Sequence, residues 1–365
     1  MAWDLLVDRS DLTRTEVVEA PTPAPGPGEV VLRTDRVGMT ANNVTYAVFG
    51  DAMHYWDFFP APDGLGRVPL WGFADVEASA VPEVAEGTRL YGYLPTSSHL
   101  VVQPAKVDAK GFRDASPHRQ HLPTPYNGLT TTTEDPAYAA DQEDLQVLYR
   151  PLFMTSFVLA DLLTDNGCFG ADTVVISSAS SKTSYGTAFL LDGVHRRRAG
   201  ERRRLHRVGL TSEANRAFTD SLGCYDEVRT YDEVEALDEG PAVYVDVAGD
   251  AALRRRVHER LVPVHSAVVG ASHHDAAPDL PGGQDLPGAP PTFFFAPDQM
   301  RKRHADWGPD GVELRHAEAW ARFAPVVAGW VDVTVGTGPE GLAGAWHDVL
   351  AGATPPRTGH VVDLG

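Results

Sequence analysis

At 365 residues the chain exceeds one small domain and has length for two cores, and its 43% hydrophobic share belongs to globular rather than disordered sequences. Fifty acidic against 31 basic side chains leave a net charge of −19, which argues against general nucleic-acid binding because a phosphate backbone would be repelled by most of the surface. Two cysteines, Cys168 and Cys224, cannot build a disulfide framework or a four-thiolate zinc site, and they point to a reducing compartment.

The first segment, MAWDLLVDRSDLTRTE, carries acids and no apolar run of signal-peptide length, and no stretch approaches the roughly 20 apolar residues of a membrane helix. A soluble, cytoplasmic protein is the expectation. Over the first 110 residues, short β-like runs with Pro/Gly punctuation alternate: GEVVLRTDRVGMT (28–40), VPLWGFADVEASAV (68–81) and TRLYGYLPTSSHLVVQPAKV (88–107). This spacing predicts a small, mostly antiparallel barrel. The polar stretch 113–142 reads as a long surface loop, and LQVLYRPLFMTSFVLADLL (145–163) as a helix.

From there strands and helices alternate. TVVIS (173–177), a helix from about Ser184 to Leu191, RVGLTS (207–212), a helix through NRAFTDSLG, EVRTY (227–231), AVYVDVAG (242–249), a helix at 251–261 and HSAVVGAS (265–272) follow in turn, the pattern of a parallel sheet with crossover connections. Residues 275–291 form a Pro/Gly-rich loop, and the tail offers VDVTVGTG, a helix and a last strand GHVVDL that could rejoin the first domain. HRRRAGERRRLHR (195–207), with seven arginines and one acid, precedes a strand and reads as a solvated helix end and loop.

TVVISSASSKTSYGTAFLL (173–191) is the most informative segment. A buried β-run feeds a tight turn of small residues that opens a helix, the setting in which a helix N-terminus faces a pyrophosphate. Glycines are missing from it. Ser178, Ser180, Ser181, Lys182, Thr183 and Ser184 stand in the turn, offering hydroxyl donors and one cation, while a Cβ at the closest approach threatens the backbone contact that glycine allows. The next strand ends in Thr211 and Ser212 with Arg216 beyond, hydroxyls and a cation where an NAD site places an acid, so NADP is preferred over NAD. Glu213 counts against this, and helix capping alone would explain Ser212.

The order GEVVLRTDRVGMTANNVTYAVFG, VPLWGFADVEASA, TRLYGYLPTSSHLVVQPAKV, VVISSASSKTSYGTAFLL, VGLTSEANRAFTDSLGCYDEV, VYVDVAGD and SAVVGAS resembles medium-chain dehydrogenases/reductases over nearly the whole chain. Within that superfamily the zinc-independent quinone oxidoreductase and enoyl reductase branch is most similar. More narrowly, the chain resembles a bacterial family of uncharacterised members with SSASSKT in the turn and FFAPDQMRKRHADWG near the end. The resemblance implies an α/β fold: a GroES-like β-barrel catalytic domain (1–145), a Rossmann doubly wound parallel sheet (146–300) and a C-terminal segment (301–365) rejoining the first domain. It further implies an active site in the cleft between domains, hydride transfer from a nicotinamide and a homodimer joined through edge strands. Zinc is not expected: Thr40 and Trp71-Gly72-Phe73 stand where the zinc-dependent branch has its ligands.

Without a metal, a carbonyl or enolate needs a positioned hydrogen-bond donor. The resemblance places Tyr46, Asn42, Asn43 and Thr40 at the catalytic positions, with one residue of slip between the two asparagines, and a loop tyrosine packed on Trp56 or Phe58 as the plain alternative. Tyr55, Trp56 and Phe58 would line a hydrophobic substrate cleft or simply pack. Thr155, Ala248, Gly249 and Gly270 would border the cofactor. Lys302, Arg303 and Asp306 form a charged patch, read as a salt-bridge network or an anion grip. The expected function is therefore a zinc-independent NADP(H)-dependent reductase of an activated C=C or C=O bond in a small hydrophobic substrate. The alternative is a member that has lost the nicotinamide and acts as a small-molecule-binding protein or a redox-neutral isomerase or lyase.

Overall fold

The computed structural model describes residues 1–198, 201–269, 285–352 and 354–365, with 196–198 and 201–203 described by their backbone only. The chain divides into two compact units, Met1–Pro151 with Val331–Gly365, and Leu152–Trp330. The fold is mixed α/β, a GroES-like antiparallel unit and a Rossmann-type parallel unit.

In the first unit a three-stranded sheet accompanies a nine-stranded one, and the strand Thr358–Asp363 pairs antiparallel with Val30–Met39. Of the C-terminal segment, Val331–Gly365 joins the first unit. Alternation drives these strands. Val30, Leu32 and Val37 are buried on one core with Leu70, Val76 and Leu90. The stretch 113–142 departs from the loop reading. Strand Gly128–Thr131 pairs with both Arg89–Leu94 and Gly111–Asp114. Ahead of it, buried Asp114 accepts from the Gln103 and Ser116 amides and from Arg119 Nη1 at 3.0 Å. Polarity in this segment is spent on an internal ion pair, which composition cannot distinguish from solvation.

Trp56 is wedged where only glycine leaves room: a Cβ on Gly50 or Gly66 would overlap its indole. Gly50→Ala is expected to destabilise the first unit by about 1–3 kcal/mol through overpacking, read as a lower urea midpoint of that unit's transition.

In the second unit six parallel strands take the order Glu227–Thr230, His206–Thr211, Thr173–Ile176, Ala242–Asp246, His265–Val268, Pro291–Phe293. Val174, Val175 and Ile176 are buried without alternation, as helices on both faces require. The unit runs on to Trp330, past the boundary at 300 read from sequence, because helix Ala296–Val327 stacks Phe323 on Phe153 at 4.6 Å. Among the described residues, 195–198 and 201–204 are extended rather than a helix end. His195–Arg198 and Glu201–Arg204 pair as antiparallel strands.

Helix Glu143–Asp165 lies within a segment, Ala140–Asp165, long and apolar enough by composition to cross a membrane, contrary to the sequence reading. Half of its most apolar window is buried in the fold.

Candidate functional site

The turn after Thr173–Ile176 is built from inward-facing hydroxyls. Ser177 Oγ accepts from the amides of Val247 and Ala248, both at 3.0 Å, and donates to Asp246 Oδ1 at 3.2 Å. Asp246, fully buried, also accepts from the Gly249 amide at 2.9 Å and pairs with Arg254 Nε at 2.6 Å. This knot ties the carboxyl ends of two neighbouring strands together. It also assigns Ala248 and Gly249 to closing the strand end.

Ser178 adopts φ +50°, the left-handed conformation that glycine takes freely and serine only at a cost of about 1 kcal/mol. The bend of a glycine turn is therefore kept by a serine. Ser181 caps helix Lys182–Leu190, its Oγ accepting from the Ser184 amide at 3.3 Å. Ser184 Oγ, fully buried, donates to the Ser177 carbonyl at 2.9 Å, so its Cβ and hydroxyl turn into the protein. Close packing of the turn is supplied from next door. Gly209, opposite Ile176, leaves space that a Cβ would lose, since it would stand 2.9 Å from the Ala179 methyl and 3.1 Å from the Tyr225 ring. The glycine missing from the turn is on the adjacent strand.

Neighbouring side chains dress the turn. Tyr225 donates to the Ala179 carbonyl at 2.9 Å and Asn215 Nδ2 donates to Ser180 Oγ at 3.2 Å. Lys182 opens the helix, and burial lowers its ammonium to about 8. The first-turn amides of such a helix have no intrahelical acceptor, so the end carries partial positive charge beside that cation. Thr183 turns its carbonyl to Ser156 Oγ at 2.8 Å. Ser156, one residue beyond Thr155, makes this contact. It sits against Gly186, where a Cβ would meet its Oγ at 2.7 Å. Thr155 itself is half-buried on the same helix.

Thr211 is buried with an unpartnered hydroxyl, and Ser212 stands at the N-cap of helix Glu213–Ser221 without making a side-chain capping bond. Arg216 is committed elsewhere, to Glu233 at 3.2 Å and Asp220 at 4.0 Å. Gly270 lies outside the described residues. Lys302, Arg303 and Asp306 form a salt-bridge network within this unit, with Arg303 Nε 2.6 Å from Asp161 and Lys302 2.7 Å from Asp165.

In the first unit, helix Ala41–Val48 divides the four catalytic candidates. Thr40 and Asn43 cap the helix: Asn43 Oδ1 accepts from the Thr40 amide at 2.7 Å and its Nδ2 donates to the Pro69 carbonyl at 2.9 Å. Those polar atoms hold backbone. Asn42, one turn before Tyr46 on the same face, donates Nδ2 to the Tyr46 hydroxyl at 2.7 Å, and Trp71 Nε1 donates to it at 3.2 Å. Burial raises the Tyr46 phenol far above its ordinary value, and the two donors only partly offset this. With both lone pairs engaged and its proton retained, the phenol can act only as a donor.

Tyr46 belongs to an aromatic cluster with Phe58, Phe59, Tyr93 and Leu122, against which Tyr55, Trp71 and Tyr126 pack. Its ring centroid lies 4.6 Å from Tyr55 and 5.5 Å from Tyr93. Trp56 is not part of it, being held in the barrel core by the glycine gaps described above. A cavity of about 290 Å³ opens beside Phe58 and Phe59, lined also by Trp3, Arg67, His99 and His118. Tyr93, Trp71 and Tyr126 escaped the sequence reading because they lie in different segments that only the sheet brings together.

A family model described as "Protein of unknown function (DUF2855)" matches residues 37–355. No curated protein matches the sequence. Among solved structures, CurA from Vibrio vulnificus, solved also in complex with NADPH, is 14% identical with a TM-score of 0.60, covering 100% of this chain and 99% of that one. The CurF ER cyclopropanase of the curacin A biosynthetic pathway is 12% identical with a TM-score of 0.59 over the same shares. The yhdH oxidoreductase from Salmonella enterica in complex with NADP is 14% identical with a TM-score of 0.55, covering 100% of each chain. At these identities the likeness is one of fold.

Proposed function

Since the chain belongs to the family described as Protein of unknown function (DUF2855), a description without an activity, we propose that it is an NADP(H)-dependent oxidoreductase reducing an activated C=C or C=O bond of a small hydrophobic substrate. The observation carrying this reading is the turn at 177–184. It keeps a glycine-type bend at Ser178, folds the Ser181 and Ser184 hydroxyls into the protein, and leads into a helix that starts with a cation. These features fit a diphosphate, because the Ser184 side chain is buried and bonded back to the Ser177 carbonyl rather than turned outward. The NADPH and NADP complexes of proteins sharing the fold support the same reading.

Bound there, a nicotinamide dinucleotide would supply the hydride. Lys182 would pair with a phosphate, and the helix end would hold it. Tyr46 would donate a hydrogen bond to the substrate oxygen or a proton to the carbanion, with Asn42 and Trp71 fixing its direction. Zinc independence rests on the residues at the ligand positions: Thr40 caps a helix, Trp71 serves Tyr46 and Phe73 is buried under Arg89. A homodimer is part of the proposal. Among the described residues, strand Pro291–Phe293 ends the sheet and presents Phe293 and, just beyond, Phe295 about half exposed, an apolar edge that a second copy would cover.

Oxidation of NADPH, followed at its nicotinamide absorbance with a panel of enones, quinones and enoyl thioesters, tests the activity. Consumption with at least one class is expected, and none with any class counts against it. Lys182 gives a pH signature. Burial lowers its ammonium to about 8, so the cation is present below that pH and lost above it. NADPH affinity is expected to fall by up to about tenfold per unit above pH 8. Unfolding stability moves the other way, since an unfolded lysine stays charged to about pH 10 and the cost of burying the charge disappears between 8 and 10. Lys182→Gln should flatten both profiles.

A further inference from the structure

Tyr93 stands on strand Arg89–Leu94, opposite Trp71 of the neighbouring strand Leu70–Ser79, the residue whose indole donates to Tyr46. Along Arg89–Leu94, Leu90 and Leu94 belong to the barrel core, so Tyr91 and Tyr93 turn to the opposite face of the sheet. The Tyr93 side chain is 1% exposed, and its ring lies edge-on to Tyr46 at 5.5 Å and to Phe58 at 5.2 Å. Its hydroxyl is buried and has no hydrogen-bond partner among the described residues. An enclosed hydroxyl without a partner destabilises a fold, and phenylalanine would place the same ring without that cost. Burial also raises the phenol well above its ordinary value, so its proton is kept and remains available to an acceptor.

We infer that Tyr93 is a second hydrogen-bond donor to the substrate oxygen, completing with Tyr46 a two-phenol site. This rests on the reductase reading above, in which Tyr46 faces that oxygen. Two donors match the two lone pairs of a carbonyl oxygen. Both phenols are buried, where a hydrogen bond strengthens as negative charge builds on its acceptor. The two are held differently. Asn42 and Trp71 fill the Tyr46 oxygen and fix its direction, whereas Tyr93 is placed by ring packing. Tyr93 gives up no proton; its hydroxyl gains in the complex the partner that the fold withholds.

NADPH oxidation with a compound that the wild type reduces is compared for Tyr93→Phe and Tyr91→Phe, with melting temperature measured alongside. Tyr91 carries the other buried, unpartnered hydroxyl of the strand, but its ring lies against Phe73 and the Arg150 guanidinium. Tyr93→Phe is expected to lower the turnover number by about 10²- to 10³-fold, the effect of removing one donor from an oxyanion site. Its melting temperature should nevertheless rise by about 2–4 °C, since a buried unpartnered hydroxyl is gone. Tyr91→Phe should show the rise without the loss of rate. Equal rates in both variants, whether kept or lost, overturn the inference and leave the reductase reading intact. A lower melting temperature in Tyr93→Phe shows that the fold itself uses the hydroxyl and overturns it as well. A wild type that reduces no compound overturns the reductase reading and this inference with it.

Discussion

Tyr46→Phe is expected to lower the turnover number by about 10²- to 10⁴-fold, the range over which a positioned general acid acts, while leaving NADPH affinity unchanged. The ring keeps its packing against Tyr55 and Tyr93, so the loss reads the hydroxyl. Asn42 Nδ2 and Trp71 Nε1 are both left facing a missing acceptor, and the first unit should lose about 1–3 kcal/mol of stability as well. Asn42→Ala removes one of the donors that aim the phenol and should cost less in rate than the phenylalanine. Because burial raises the phenol, the wild-type rate should show no fall from its ionisation up to pH 10. Steady-state kinetics at saturating NADPH decides the matter. A phenylalanine variant retaining half the wild-type rate would remove Tyr46 from the chemistry.

Arg254→Ala is expected to destabilise the second unit by about 3–5 kcal/mol, because it leaves the Asp246 carboxylate buried without its cation. Asp246 is fully enclosed and Arg254 only 3% exposed, so water cannot replace the guanidinium. For a unit of this size the apparent melting temperature should fall by about 10 °C. The damage should reach the turn, since Asp246 Oδ1 also takes the Ser177 hydroxyl that orders the Val247 and Ala248 amides. Asp246→Asn combined with Arg254→Met removes both charges and should recover much of the loss. If the single and double variants melt together, the pair is not what holds the strand ends.

The β-α alternation from residue 173 and the returning strand at the C-terminus were legible because each is a local hydrophobic pattern, and both appear in the fold. The serine turn was legible as a turn, but not the reason it tolerates serines. That reason lies in Gly209 on another strand and in hydroxyls bonded across the turn, which neighbour spacing along the chain does not reveal. Among the catalytic candidates, Asn42 and Tyr46 meet through helical spacing. Asn43 and Thr40 were indistinguishable from them until the helix start was fixed at Ala41. Arg216 looked like a phosphate partner because its claimant, Glu233, belongs to the following strand's end. The arginine-rich run pairs its described residues as two strands where a solvated helix end and loop was expected, charge count being silent on strand against helix.

A turn without glycine should still accept a diphosphate. A crystal of the full chain soaked with NADP tests it most directly. Diphosphate density is expected against residues 178–184, with Lys182 Nζ on a phosphate oxygen. Nucleotide density elsewhere, or an untouched turn at millimolar NADP, would contradict it.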